Sequence, residues 1–269
     1  MLPDDFTERL LRRDRLVLVA LIALLFALAA LYTLFGVGMR MSALDMTAMS
    51  GMRDMPGGAA PGAWDAGYTL LVFLMWWVMM AAMMLPSVAP TVLLHAALLH
   101  RTGGAAPAPA VSTAFLGGYL AVWAAFSVLA VAAQWGLEAA GILSPTMMTI
   151  VSTVPGGLLL IAAGAFQFTP LKAACLQHCR SPAKFLTERR RPGRGGAFAM
   201  GVEHGTYCLG CCWSLMALLF VGGVMNLWWI AGLAAFVALE KLTPAGPALS
   251  RVAGAALILA GATAIASNL

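Results

Sequence analysis

Apolar residues in this chain come in long blocks, separated by short polar or Pro/Gly-rich breaks. A helix crossing a ~30 Å hydrocarbon layer needs about 20 apolar residues, and the blocks predict about seven such helices. The first is expected over 16–36. The second begins near Trp64 and reaches the far interface near Pro86, where Pro86 and Pro90 are expected to kink or end it. The others are expected over about 110–136, 146–170, 197–222, 227–239 and 247–266. The sixth is short, so six or eight crossings stay open.

Composition agrees with this pattern. The chain has 269 residues, 61% of them hydrophobic and only 10% charged, with a mean hydropathy of +0.88. A soluble protein carries about 25% charged residues. The fold class expected is all-α, a polytopic helical membrane protein with no sizeable soluble domain. Residues 1–15 read as a cytoplasmic basic arm and 16–269 as a single transmembrane domain. That domain includes an external Met-rich loop over 37–63 and a cytoplasmic Cys/His and basic loop over 171–196. The first block is longer than a signal-peptide core and no small-residue cleavage motif follows it, so it reads as a retained helix.

The net charge of +5 and a pI near 9.2 would suggest nucleic acid in a soluble protein. Here the charge has a topological account. With the N-terminus inside and the C-terminus outside, every Lys and Arg except Arg40 and Arg53 falls on the inner side, as the positive-inside rule requires. No nucleic-acid partner is expected.

The chemistry concentrates in His204-Gly-Thr-Tyr-Cys208-Leu-Gly-Cys211-Cys212-Trp213, which holds three of the five cysteines. At 3.6 residues per turn His204, Cys208 and Cys211 share one helix face, with Met200 a turn earlier. Thioether, imidazole and thiolate select Cu(I) and Zn(II), and polar groups within a span call for a reason. Cys175, His178 and Cys179 form a second motif at the inner end of the fourth span. A zinc site built on these three and one further ligand is an alternative. Met79 and Met83, with Met75, line one face of the second span. If that helix adjoins the fifth, soft ligands form a ladder across the bilayer. Met46, Met49, Met52 and Met55 recur every three residues in the external loop. Thioethers need no deprotonation and form no disulfides, which suits Cu(I) capture outside the cell. Glu240-Lys241 reads as a helix cap and interface anchor. Nucleotide-binding Gly-rich loops and a His-Glu-X-X-His motif are absent.

Together Trp76-X-X-Met79-X-X-Ala82-Met83-Met84-X-Pro86, Cys175-Leu-X-His178-Cys179-X-X-Pro182, Cys208-X-Gly-Cys211-Cys212-Trp213-X-Leu-Met216, Met225-Asn226 and Glu240-Lys241 resemble a bacterial family of predicted metal-binding integral membrane proteins. Some of its members are labelled copper chaperones. The resemblance covers roughly residues 64–245. It implies metal binding at Cys208, Cys211 and Cys212, and extends to the earlier Cys-His-Cys motif.

The leading expectation is a multi-pass protein of the bacterial inner (cytoplasmic) membrane that binds and handles Cu(I). It would act as a transporter, or as a chaperone delivering metal to a copper enzyme or exchanging it with a periplasmic copper carrier. Its other partner is membrane lipid. Without a nucleotide-binding domain, transport would be passive, ion-coupled or driven by partner exchange. The alternatives are a membrane thiol–disulfide oxidoreductase and a non-catalytic assembly subunit with structural cysteines; haem ligation by His95 or His204 ranks last.

Overall fold

The computed structural model describes residues 4–36, 42–49, 64–101 and 107–267. Met52 and Met55 lie outside the described residues. The helices run in the order α1 (Asp4–Phe35), α2 (Ala43–Ala48), α3 (Ala66–Arg101), α4 (Ala108–Ala139), α5 (Thr153–Phe166), α6 (Pro170–Arg180), α7 (Pro182–Glu188), α8 (Gly193–Ala217), α9 (Leu219–Gly222), α10 (Leu227–Leu242) and α11 (Gly246–Ala266). A short antiparallel bridge between Leu143 and Ile150 ties the loop before α5.

Five stretches are long and apolar enough to cross a membrane: Arg13–Phe35, Ala66–His100, Ala108–Ala139, Gly193–Gly222 and Gly246–Ala266. α5 and α6 meet at a 63° bend and count as a sixth if they form one broken span. α10, at 16 residues, falls short of the ~20 a perpendicular span needs.

Two boundaries differ from expectation. α3 does not end at Pro86 but continues through Pro86 and Pro90 to Arg101. A proline deletes one helical hydrogen bond and crowds the preceding turn; tight packing on both sides holds the helix through that loss. Met83, Met84, Leu85 and Val88 are all buried. The fourth helix begins at Thr153 rather than near 146, because Ser144 and Thr149 pair through their backbones and close a turn ahead of it.

α3 is the centre of the bundle. Its best apolar window is 61% buried, against 22% for α1 and 17% for α11. It packs on α1, α4 and α10, while α4 packs on α8, α8 on α6, and α5 on α11. Glycines let two of these pairs approach closely, since small residues allow helix backbones to come into contact. A Cβ on Gly118 would strike the backbone of Phe198, and one on Gly201 the backbone of Phe115. In the α5–α11 pair, a Cβ on Gly164 would lie 2.7 Å from the Gly254 carbonyl oxygen.

The Met-rich segment is not wholly an unpacked loop. Ser42 and Asp45 form a capping box that starts α2, and the Thr47 hydroxyl accepts a 2.9 Å hydrogen bond from the Leu227 amide. Met46 is thereby buried in the main core, and Met49 is half-buried at the end of the helix. For Met46 the expectation of an open loop position does not hold, because the cap gives this polar segment a helix with an apolar face.

Gly201→Leu forces α4 and α8 apart. It is expected to cost about 1–3 kcal/mol or more, read as a lowered thermal midpoint of the detergent-solubilised protein, with Gly195→Ala, which meets no neighbour, as the unaffected control.

Candidate metal centre

The centre is built where α6 and α10 close on α8. Thr169 caps α6 by accepting from the Lys172 amide, and Pro170 occupies its first turn; both are favourable helix starts. The helix then places Lys172, Cys175, Leu176 and Cys179 on one buried stripe at i, i+3, i+4 and i+7. Arg180, at the end of α6, turns to the C-terminus of α10. It donates to the carbonyls of Glu240 at 2.7 Å, Thr243 at 2.6 Å and Pro244 at 3.3 Å. A cation there satisfies carbonyls that lack helical partners and fixes the register of α6 on α10.

On α8 the expected face is buried: Met200, His204, Cys208 and Cys211 all lie inside, with Cys212 beside them. Trp213 faces outward, 44% exposed. Gly210 admits α6 here, since a Cβ at that position would lie 2.7 Å from Cys175 Sγ. Cys179 on α6 and Cys208, Cys211 and Cys212 on α8 are all buried in one core cluster, where α6 packs on α8. All five cysteines are free thiols. The two motifs therefore meet in one place.

Cys208 is the hub. Its sulfur takes a 2.9 Å hydrogen bond from Lys241 Nζ and lies 3.0 Å from the Tyr119 hydroxyl. One turn on, Cys211 and Cys212 both donate S–H to the Cys208 carbonyl at 3.0 Å. Behind them Lys172 and Glu240 form an ion pair at 2.7 Å, both almost wholly buried, and the Ser250 hydroxyl donates to the same carboxylate. Glu240-Lys241 is thus not an interface anchor. Lys172, expected in the basic loop, belongs to this interior group, and Tyr119 was not anticipated. The available signals were the position of Lys172 three residues before Cys175, and a Glu-Lys pair inside an apolar run.

His204 packs its ring against Tyr119, Phe115 and Phe185 at centroid distances of 6.0, 5.9 and 5.4 Å. His178 stacks on Tyr207 at 3.7 Å. His204 Nδ1 and His178 Nε2 are buried without hydrogen-bond partners. Met79 and Met83 are buried in the same core, but on α3, whose principal neighbours are α1, α4 and α10 rather than α8. His95 hydrogen-bonds Ser112 through Nδ1 at 3.0 Å.

Among the described residues no three His, Cys, Asp or Glu side chains already stand as a metal cage. The rotamers account for this, since Cys211 and Cys212 turn their sulfurs back to the Cys208 carbonyl. Thiol–carbonyl hydrogen bonds are weak, of order 0.5–1 kcal/mol, so swinging these sulfurs towards a thiophilic ion costs little. Four buried thiols in one core, with the unpaired imidazole nitrogens of His178 and His204, are donors that suit a thiophilic metal.

The architecture is that of an all-helical bundle, with helices long enough to cross a membrane and a buried thiol cluster. A family model described as copper chaperone, PpoB2, matches residues 73–264, and the chain belongs to that family. Membership implies copper binding. No curated protein and no solved structure matches the chain.

The buried Lys172–Glu240 pair can be tested on its own. Removing one partner of such a pair costs about 3–5 kcal/mol, whereas replacing both with apolar groups is often neutral. Lys172→Met alone is therefore expected to destabilise strongly, and Lys172→Met with Glu240→Met to recover most of that loss in thermal unfolding.

Proposed function

We propose that this chain is a multi-pass protein of a bacterial inner membrane that holds Cu(I) at Cys179, Cys208, Cys211 and Cys212 and passes it to a copper enzyme under assembly. The burial of the α6 and α8 cysteines in one core, where the two helices pack together, carries this reading. Thiols separated by 29 residues along the chain gain nothing from shared burial that smaller apolar residues would not provide. A soft metal needs them together. Cys175 and the imidazoles of His178 and His204 serve as accessory donors, and Met49, Met52 and Met55 collect the ion on the outer side. Met79 and Met83 are assigned to the path between.

Each cysteine that takes the metal gives up its proton, since the thiolate is the ligand. Copper remains Cu(I) throughout. Lys172 balances Glu240, Lys241 offsets part of the thiolate charge at Cys208, and Tyr119 holds the Cys208 sulfur in position. The bundle shields the sulfurs from bulk water and oxidants. With no nucleotide-binding motif in the chain, release depends on exchange with an acceptor.

Anaerobic competition titration of the purified protein tests this. Wild type is expected to bind Cu(I) tightly and stoichiometrically, and the Cys208→Ser/Cys211→Ser/Cys212→Ser variant to lose it. Equal binding by both would move the site to the Met-rich segment or to Cys175–Cys179. No binding by either, with a titratable disulfide in its place, would favour thiol redox chemistry.

A further inference from the structure

A cavity of about 300 Å³ opens beside the thiol cluster between α6 and α7, lined by Gln177, His178, Ser181, Lys184, Phe185 and Arg189. Its lining is mostly polar, unlike the apolar surface of the surrounding bundle. At its inner wall lies His178, whose Nε2 is buried and unpartnered. The next residue, Cys179, belongs to the thiol cluster.

Phe185 separates the cavity from the interior. It is 2% exposed and stands between the two imidazoles, 4.8 Å from the His178 ring and 5.4 Å from the His204 ring. Beyond His204, Tyr119 leads to Cys208. Imidazoles suited to Cu(I) therefore stand on both sides of the Phe185 ring, and Tyr119 lies between the second of them and Cys208.

We propose that this cavity is the port through which Cu(I) is exchanged between the cluster and a small anionic thiolate carrier, with Phe185 as its gate. The inference rests on the copper reading above and adds the route and the class of carrier. The volume lies at the lower end of small-molecule pockets, which run to about 300–1,000 Å³. Lys184, Arg189, Arg190, Arg191 and Arg194 on and beside its wall outnumber Glu188 and Glu203, the carboxylates that pair with Lys184, Arg189 and Arg191. That charge favours an anionic visitor. Exchange is ligand substitution without redox change. The carrier's Cu–S bond breaks as a bond to His178 forms; movement of the Phe185 ring lets the ion pass to His204 and on to Cys208, and the carrier sulfur takes up the proton that the cysteine gives up. Release runs the same steps in reverse.

The test uses full-length protein in detergent, loaded with Cu(I) anaerobically and mixed in stopped flow with excess bathocuproine disulfonate, an anionic Cu(I) chelator. Phe185→Ala removes the gate, and Ala174→Trp, at an exposed position on the cavity wall, fills the cavity. Copper bound per chain is expected to stay at the wild-type value in both. Release is expected to become about tenfold faster in Phe185→Ala and about tenfold slower in Ala174→Trp, each a change of ~1.4 kcal/mol in the barrier. Wild-type rates in Ala174→Trp, with copper still bound, would overturn the port and leave the copper function standing. Absence of copper binding in wild type would remove both.

Discussion

Charge balance in a low-dielectric interior is the constraint from which the rest of this structure follows. Lys172 and Lys241 carry their ammonium groups where water cannot reach, and a lone buried cation costs several kcal/mol. Glu240 answers Lys172 at 2.7 Å, and the Cys208 sulfur receives Lys241 at 2.9 Å. Because Glu240 and Lys241 are consecutive on α10, one helix end addresses α6 and α8 together. Arg180 completes the arrangement by capping α10 from α6. α6, α8 and α10 cannot slide past one another without unpairing a buried charge, and that lock keeps the cysteines of two motifs in one cluster.

The lock also bears on chemistry. A cluster holding only thiols would change its net charge with each proton it lost to a metal. Fixed cations at its edge moderate that change. The glycines do a complementary job: Gly201 and Gly118 bring α4 within backbone contact of α8, so that Tyr119 reaches Cys208, while Gly210 lets Cys175 lie flat on α8. The Gly in Cys208-X-Gly-Cys211-Cys212 is thus a packing requirement of the site.

Much of this was legible in the sequence where periodicity decides. The face carrying Met200, His204, Cys208 and Cys211 follows from 3.6 residues per turn, and the long helices follow from apolar blocks. Helix adjacency does not follow from one sequence, since several pairings bury comparable apolar surface. The meeting of α6 with α8 and the placement of α3 beside α1, α4 and α10 therefore came only with the structure. Glu240-Lys241 was misread because a charged pair closing an apolar block looks the same whether it faces an interface or a buried partner. Pro86 and Pro90 misled in a similar way: local propensity says stop, but packing around α3 carries the helix on. Met46 escaped because a capping box can build a six-residue helix in a segment whose composition reads as loop.

On the proposed function one copper ion is held by sulfurs from both α6 and α8. X-ray absorption at the copper edge of the Cu(I)-loaded protein, wild type beside Cys179→Ser, addresses it most directly. Wild type is expected to show a sulfur-dominated shell that loses sulfur or gains a lighter ligand in the variant. Identical sulfur shells in the two proteins would contradict it, because Cys179 of α6 would then take no part in holding the metal.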